Sequence, residues 1–386
     1  MAFTRERGSE TPNYEDDWGF VERRGETAWG NAATFLITHT PTCTPFPPHA
    51  MSNDAWSWPD DDDVTVAVTG ATGYLAAHVV RVLLEKGCKV HGTVRDMGEE
   101  GRYWPLQCLP NAPKNLRLYE AELDDEDAFF TAFLGCDAVV HLASPFFTRV
   151  ADDADAEERL LKPAVEGTQN VLRACKRTGI KRVVLTSSIA AMYRQRPDAS
   201  FANGVPPAIT DDTWSDVDFM RETKQWYPLS KTLAEKAAIE FAEAEQLDVR
   251  VCNPSLVLGP AITPHLNESL KSVKVLVDGK RKELKNYILG VVDVRDAAEA
   301  HYLLLAREEA KGRHLCLGQF VDFLKVRDEV AEIVGFSRFT AAVIGGPKDV
   351  PSFNVSKLNK LGMKYRPLTE CLEDCLQGLV NHGHLR

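Results

Sequence analysis

A glycine turn between a strand and a helix constrains this chain more than any other feature of its sequence. The run VTVAVT (64–69) is short and rich in β-branched residues, which is typical of a buried parallel strand. TGATGYLA (69–76) follows it and leads into the helix-forming run YLAAHVVRVLLEKG (74–87). This order of strand, glycine turn and helix predicts the first unit of a doubly wound α/β fold.

The small residues of the turn have separate tasks in such a unit. Gly70 permits the tight turn, Gly73 lets the backbone approach a pyrophosphate, and Ala76 allows the helix to pack closely on the strand. The pyrophosphate of a dinucleotide would then lie against main-chain amides at the helix N-terminus. The predicted coenzyme contacts in this segment are Gly70, Thr72, Gly73, Tyr74 and Leu75.

Strands and helices continue to alternate as far as Ser255, which predicts an α/β fold with a doubly wound parallel (Rossmann) sheet. The further predicted strands are CKVHGTV (88–94), NLRLYEAEL (115–123), DAVVHLAS (137–144), KRVVLTSS (181–188) and DVRVCNPS (248–255). Beyond Ser255 we expect mainly helices, with few strands, in a smaller lobe over the carboxyl ends of the sheet. The predicted domains are 1–63 (extension), 64–255 (dinucleotide-binding Rossmann domain) and 256–386 (substrate-binding lobe).

Residues 1–63 differ from the rest of the chain in charge and composition. They hold twelve acidic and four basic residues and so carry most of the formal net charge of −11. The run PTCTPFPPH (41–49) is rich in proline and disfavours regular secondary structure. We predict a disordered acidic extension, with Met51 as an alternative start; the acidity disfavours a transit peptide. The net charge argues against nucleic-acid and anionic-membrane partners. With no apolar run of ~18 residues, we expect a cytoplasmic protein.

The end of the second predicted strand indicates which dinucleotide binds. NAD-dependent enzymes place an acid there for the ribose 2′-hydroxyl, whereas this chain has Arg95, whose guanidinium suits a 2′-phosphate. Arg102 either adds a second positive charge or is a solvated surface cation. Asp96 leaves NAD as the alternative, but the arginine favours NADP(H) as the coenzyme.

WYPLSKTLAEKAAIEF (226–241) carries the predicted chemical centre. Tyr227 and Lys231 are four residues apart, which places both on one face of a helix. Because a lysine ammonium and the positive nicotinamide of a bound coenzyme both favour the phenolate, we expect the pKa of Tyr227 to fall below the value of about 10 for free tyrosine. Tyr227 can then exchange a proton with a carbonyl oxygen during hydride transfer. TSS (186–188), at the end of a predicted strand, offers the hydroxyl of Ser188 to hold that oxygen.

These motifs resemble the extended short-chain dehydrogenase/reductases, in their dihydroflavonol 4-reductase and cinnamoyl-CoA reductase-like branch. The resemblance covers about residues 64–380. It is carried by VTGATGYLA (68–76), GTVRD (92–96), GCDAVVHLASP (135–145), AVEGTQNVLRAC (164–175), VVLTSSIAA (183–191), WYPLSKTLAEKAA (226–238), NPSLVLGP (253–260), VDVRDAAEAH (292–301) and SKLNKLGMKYRPLTECLED (356–374). Tyr193 replaces the small polar residue of most dihydroflavonol reductases, and the run after Tyr227 only partly matches cinnamoyl-CoA reductases, so neither activity is assigned.

The resemblance implies a role for each matching position. Ser188, Tyr227 and Lys231 match the catalytic residues, and Tyr227 and Lys231 also contact the coenzyme. The other implied coenzyme contacts are Arg95 and Arg102 at the 2′-phosphate, Glu122 and Leu123 near the adenine, Leu142, Ala143 and Ser144 beneath the nicotinamide, and Pro254 and Ser255 beside its carboxamide. Five apolar side chains either line a substrate pocket or belong to the core, namely Phe146, Phe147, Met192, Tyr193 and Trp226.

The predicted function is therefore NADPH-dependent reduction of an aldehyde or ketone, such as a dihydroflavonol or a cinnamoyl-CoA-like carbonyl. In the reverse direction, such an oxidoreductase oxidises a CH–OH group. The alternatives are an NAD-dependent epimerase or isomerase, of the nucleotide-sugar or 3β-hydroxysteroid type, and a non-catalytic NADP(H)-sensing protein. We expect a monomer or homodimer. The nine cysteines are scattered, so neither a metal site nor a disulfide framework is predicted.

Overall fold

The computed structural model describes residues 64–145, 151–196, 208–278, 280, 282–335, 342–346 and 352–385. The predicted extension over 1–63 and the candidate pocket residues Phe146 and Phe147 lie outside these ranges. The strands are β1 (Thr65–Thr69), β2 (Lys89–Val94), β3 (Leu116–Glu120), β4 (Ala138–His141), β5 (Arg182–Thr186), β6 (Asp248–Pro254), β7 (Leu256–Leu258), β8 (Glu283–Lys285), β9 (Ile288–Asp293), β10 (Gly312–Cys316), β11 (Gln319–Asp322) and β12 (Ala342–Ile344).

Helices cover most of the remaining described chain. They are α1 (Tyr74–Glu85), α2 (Glu100–Gln107), α3 (Ala112–Asn115), α4 (Glu126–Phe133), α5 (Asp153–Ala156), α6 (Lys162–Thr178), α7 (Ala190–Tyr193), α8 (Val217–Glu222), α9 (Trp226–Glu245), α10 (Glu268–Val277), α11 (Val294–Ala306), α12 (Phe323–Val334), α13 (Ser356–Lys360) and α14 (Leu368–Asn381). A π-helical turn, Glu157–Leu161, joins α5 to α6.

Seven strands form one parallel sheet in the order β10-β6-β5-β4-β1-β2-β3. The predicted doubly wound sheet is confirmed. The strand order reverses between β1 and β4, and ligands of such folds bind at the carboxyl ends of the strands beside this reversal.

Alternating side chains explain why both faces of this sheet are covered by helices. In β1, Val66 and Val68 point into one apolar core, while Ala67 points into another. Helices α1 and α11 cover the first face, and α4, α6 and α9 cover the second. Strands that are apolar on both sides need this three-layer packing, because neither face can be left in water.

The chain beyond Ser255 contains more strands than the sequence predicted. Strands β11, β9 and β7 form a three-stranded sheet, and β12 pairs with β8. Strand β10 returns to the edge of the main sheet beside β6, and α11 packs on the main core. The expectation of few strands is wrong, because these strands are only three to six residues long and too short to show a clear alternation.

A second apolar core supports the lobe formed by this later part of the chain. It joins β7 and β9 to the buried faces of α10, α12 and α14. In the described part of the chain, no helix combines the length and apolar character that a membrane span needs. Seven cysteines within the described ranges are free thiols.

The turn after β1 has the backbone conformation that only glycine adopts readily. Gly70 has φ of 65°, and a Cβ placed on it would lie 3.2 Å from the Cα of Ala143. The Gly70 amide donates to the Thr93 hydroxyl at 3.1 Å, and the Gly73 amide donates to the Gly70 carbonyl at 2.8 Å. The turn therefore holds β1, β2 and the segment after β4 close together.

We expect Gly70→Ala to be strained both by its backbone conformation and by its contact with Ala143. A left-handed conformation costs an L-residue about 1–2 kcal/mol, and the new methyl group would push the turn away from Ala143. Thermal unfolding should show lower stability, and NADPH titration should show weaker binding. Gly87→Ala is a matched control, because Gly87 has φ of 88° but open space around it. It should lose stability and keep NADPH affinity; equal NADPH affinities in the two variants would contradict the assignment of the turn.

A chain that begins at Asp60 should fold like the full-length chain, because β1 begins at Thr65 and the described core lies after it. Circular dichroism and thermal unfolding of the two forms should agree. Aggregation of the shortened form would show that the first residues belong to the folded structure.

Candidate active site

A cleft of about 1160 Å³ opens at the carboxyl ends of β1, β2 and β4. Ten of the sequence-predicted coenzyme residues line it, and they come from five separate segments of the chain. These residues are Gly70, Thr72, Gly73, Arg95, Arg102, Glu122, Leu123, Leu142, Ala143 and Ser144. The fold thus collects most of the predicted set at the reversal of the strand order.

Tyr74 and Leu75 differ from these residues, since neither belongs to the cleft lining. The Tyr74 hydroxyl donates to the Gly259 carbonyl at 2.9 Å, and its ring packs on the second core. Leu75 packs on the main core. Their side chains therefore join the helix to the rest of the protein, and only their main-chain amides lie at the N-terminus of α1.

Two arginines lie on the β2 side of the cleft. Arg95 directly follows β2 and is exposed, and Arg102 on α2 forms an ion pair with Glu99 at 2.8 Å. The Asp96 carboxylate accepts from the Gly98 amide at 2.6 Å, so it supports the loop after Arg95. A guanidinium at the end of β2 is suited to binding a phosphate monoester.

Sequence reasoning missed one segment of the cleft lining. Thr263, Pro264 and His265 line it, and the Thr263 hydroxyl contacts the Thr72 carbonyl at 3.4 Å. Burial lowers the pKa of His265, and the nearby Arg102 lowers it further. No local motif marks these residues, because they reach the cleft only through the packing of the second lobe.

The adenine side of the predicted site depends on close contact between α6 and the segment after β3. A Cβ on Gly167 would lie 2.9 Å from the Leu123 Cβ. The Asn170 side-chain amide donates to the Leu123 carbonyl at 2.8 Å. Gly167 and Asn170 line the cleft together with Leu123, although the sequence analysis gave them no role.

The end of β4 is tied to the end of β1 by one hydroxyl. Thr69 Oγ1 accepts from the amides of Leu142 and Ala143, each at 3.0 Å. It also contacts His141 Nδ1 at 2.8 Å. These bonds present Leu142, Ala143 and the neighbouring Ser144 to the cleft.

Ser188, Tyr227 and Lys231 come together at the start of α9. Tyr227 lies in the first turn of this helix with Lys231 one turn later, and the Tyr227 and Ser188 hydroxyls are hydrogen-bonded. Ser188 Oγ also accepts from the Ala190 amide at 3.1 Å. The neighbouring Ser187 has a different role, because its hydroxyl donates to Glu235 at 2.5 Å. Ser188 is therefore the serine beside the tyrosine.

Burial dominates the electrostatics of this group. It raises the pKa of Tyr227 to about 12, with the Ser188 hydrogen bond acting in the opposite direction. It lowers the pKa of Lys231 to about 8, against the opposing effect of Glu235. In the chain without coenzyme, removal of the phenolate from water therefore outweighs its stabilisation by neighbouring groups. The fall in the tyrosine pKa, which includes the positive charge of the nicotinamide, stays a prediction for the coenzyme complex.

Pro254 and Ser255 lie behind Ser188 rather than in the cleft lining. The Pro254 carbonyl accepts from the Ile189 amide at 2.9 Å, and the Ser255 amide donates to the Cys316 carbonyl at 3.0 Å. Both residues are buried. They connect the end of β6 to the serine segment and to β10.

The described apolar candidates all have core contacts. Met192 is fully buried in a small apolar cluster against which Tyr193 also packs, and Trp226 packs against a second cluster. Tyr193 is partly exposed and close enough to Tyr227 to raise its pKa. Of these three, Tyr193 has the position of a substrate contact.

Residues 66–318 match the model of the NAD dependent epimerase/dehydratase family. Tetraketide alpha-pyrone reductase 1 of Arabidopsis thaliana is 36% identical over 83% of this chain and 96% of its own length. Cinnamoyl-CoA reductase 1 of Petunia hybrida is 38% identical over 83% of this chain and 93% of its own.

Among solved structures, the yeast methylglyoxal/isovaleraldehyde reductase Gre2 complexed with NADPH has a TM-score of 0.71 and 27% identity. The match covers 83% of this chain and all of that one. These relatives have the family and fold that the sequence motifs predicted, and they match about the same part of the chain as those motifs. The chain therefore belongs to the NAD dependent epimerase/dehydratase family, in the cinnamoyl-CoA reductase-like branch that those motifs predicted.

Proposed function

We propose that this protein is an NADPH-dependent reductase of an aldehyde, ketone or related carbonyl compound, and that it oxidises CH–OH groups in the reverse direction. The observation that carries the proposal is the hydrogen-bonded pair of Ser188 and Tyr227, with Lys231 one helical turn away. A proton donor, an oxygen-binding hydroxyl and a cation are the groups that carbonyl reduction requires.

The cleft has the features that a dinucleotide needs. The Gly70–Gly73 turn leaves room for a pyrophosphate against the backbone, since side chains are absent at both glycines. Arg95 supplies a cation at the end of β2 for the 2′-phosphate. Leu123 would contact the adenine, and Lys231 would contact the nicotinamide ribose.

The protein's own residues prepare the carbonyl group for reduction. Ser188 donates a hydrogen bond to the carbonyl oxygen and orients it beside Tyr227. With a pKa of about 12, Tyr227 is protonated at neutral pH and can donate its proton to that oxygen. Lys231 carries its charge below about pH 8 and stabilises the phenolate that remains. Bound NADPH supplies the hydride.

The substrate class follows from relatives that are named for reductions of aromatic thioesters and pyrones. We propose a phenolic or polyketide-derived carbonyl compound, with Tyr193 beside the reacting group. A panel of cinnamoyl-CoA thioesters, tetraketide pyrones, dihydroflavonols and simple aldehydes, assayed by NADPH oxidation, tests this directly. Turnover of simple aldehydes alone would contradict the phenolic assignment.

Arg95 and the complete Ser188, Tyr227 and Lys231 group favour a reductase over the alternatives. An epimerase that retains NAD would have no use for a guanidinium at the 2′-phosphate position. Such an enzyme would also be purified with bound NAD, which absorbance and mass spectrometry detect. A solely sensing protein would have no use for the proton donor.

Three broader expectations remain proposals. We propose that residues 1–63 form an extension, that 64–255 bind the coenzyme, and that 256–386 complete the substrate side. Strand β10 and α11 then belong to the coenzyme-binding layers, although they come from the third segment. The cytoplasmic location and the monomeric or homodimeric state can be tested by cell fractionation and light scattering.

Arg95→Ala should weaken NADPH binding far more than NADH binding, because only NADPH carries the 2′-phosphate. The difference should be about 1.5–3 kcal/mol, which is typical of a charge-assisted hydrogen bond. Arg102→Ala should have a smaller effect, since Glu99 already neutralises Arg102. Arg117 is exposed on β3 outside the cleft lining, so Arg117→Ala is the control. An equal loss for both coenzymes would show that Arg95 does not bind the 2′-phosphate.

Tyr227→Phe should reduce turnover by about 10²–10⁴-fold, the usual contribution of a general acid, while NADPH affinity changes little. Ser188→Ala should mainly reduce turnover, and Lys231→Ala should also weaken coenzyme binding. Single-turnover kinetics with saturating NADPH would measure the rate of the reduction step itself. Tyr302→Phe on α11 is the matched control, because Tyr302 belongs to the core on one face of the sheet and α9 packs on the other. Near-normal turnover in Tyr227→Phe would exclude this mechanism.

A further inference from the structure

Glu235 lies one helical turn beyond Lys231 on α9 and is fully buried. Tyr227, Lys231 and Glu235 are spaced by four residues, so they share one face of the helix. A fully buried carboxylate is rare unless it is paired. The first question is therefore what neutralises it.

Both carboxylate oxygens of Glu235 have partners from other elements. Arg313 Nε on β10 donates to Oε1 at 2.5 Å. The Ser187 hydroxyl donates to Oε2 at 2.5 Å, and Asn253 Nδ2 on β6 donates to the same oxygen at 2.8 Å. The carboxylate therefore joins α9 to β6, to β10 and to the residue that follows β5.

The same partners reach the catalytic serine. Asn253 Nδ2 also donates to the Ser188 carbonyl at 3.2 Å, and Ser187 directly precedes Ser188. Glu235 thus holds the main chain of Ser188 from two sides. The Ser188 hydroxyl is on the other side of this contact, against Tyr227.

Arg313 is held as firmly as the carboxylate. Its Nη1 donates to the carbonyls of Asp211, at 3.2 Å, and Thr213, and its guanidinium stacks 3.6 Å from the centre of the Trp214 ring. Replacing a buried ion pair with apolar residues is often neutral or stabilising. Stability alone therefore does not require a charged pair here.

We propose that Glu235 is a positioning residue for the reduction, which holds the Ser188 main chain in register with Tyr227 and keeps a negative charge beside Lys231. This inference rests on the proposed roles of Ser188, Tyr227 and Lys231. Glu235 itself lies behind the catalytic residues and contacts them through Ser187 and Asn253.

The charge on Glu235 has a measurable consequence. Glu235 raises the pKa of Lys231, whereas burial lowers it to about 8. The other groups near Lys231 are Tyr227 on its own helix and His141 on β4, whose pKa is lowered to about 3 by burial and by Lys231. Both are neutral at pH 7 to 9. Arg313 faces Glu235 from β10. Without Glu235, Lys231 would lose its proton at a lower pH.

The test compares reductive kcat/KM across pH for the wild type and Glu235→Gln, with saturating NADPH. Activity should be highest where Lys231 is charged and fall above its pKa. Glu235→Gln should move this descending limb to lower pH by about 1, the effect of removing one nearby opposite charge. Turnover below the limb should fall by about 10–100-fold, since a charge-assisted hydrogen bond is lost. NADPH affinity below the limb should change little.

Two further variants separate charge from packing. Glu235→Asp keeps the charge with a shorter side chain. The descending limb of its pH profile should therefore stay near that of the wild type, while its turnover falls. Glu240 is exposed on the same helix. Glu240→Gln should have the same turnover and the same pH profile as the wild type. If Glu235→Gln does not fold, the double variant Glu235→Gln/Arg313→Met removes both buried charges, and its limb should still move to lower pH.

A purely structural role of Glu235 would reduce turnover equally at all pH values. The proposal would therefore be overturned if the descending limb of the pH profile stayed at the same pH in every folded variant that lacks the Glu235 carboxylate. Tyr227→Phe is measured in the same assay to separate this inference from the proposed function. If Tyr227→Phe loses turnover but the limb is unchanged without Glu235, only the positioning role fails. If Tyr227→Phe retains turnover, the proposed chemistry fails first, and the positioning role fails with it.

Discussion

The parallel pairing of β1 with β2 on one side and β4 on the other is the constraint on which the site depends. Parallel strands end at the same edge of a sheet, so residues that follow different strands meet there. The glycine turn, Arg95 and Ala143 share one cleft for this reason. The same pairing requires apolar residues on both faces of the strands, and that requirement places α1 and α6 on opposite sides of the sheet.

Burial determines the chemistry of the proposed catalytic group, Ser188, Tyr227 and Lys231, as much as the identity of its residues. It keeps Tyr227 protonated and brings the pKa of Lys231 close to physiological pH. A tyrosine that stays protonated is suited to donating a proton, which is the role that carbonyl reduction needs. The Glu235–Arg313 pair counters part of the desolvation, because it places a fixed carboxylate one helical turn from the lysine.

The second lobe contributes main-chain contacts beside the glycine turn. Tyr74 and His78 on α1 bond to carbonyls of the segment 259–264, and His382 and His384 near the C-terminus bond to two more. Side chains from both ends of the folded chain thus hold this segment against the glycine turn. The position of His265 near Arg102 in the cleft follows from these bonds.

The sequence by itself determined the features that arise from neighbouring residues. The glycine turn before α1 and the four-residue spacing of Tyr227 and Lys231 are local, and the backbone geometry of a turn or a helix fixes their arrangement. The apolar strands up to Ser255 were also clear, whereas the short strands beyond it were not. Only the tertiary structure decided the rest. Arg313 is 78 residues from Glu235 in the chain, and burial, which sets the pKa of Tyr227, depends on the packing of all three layers.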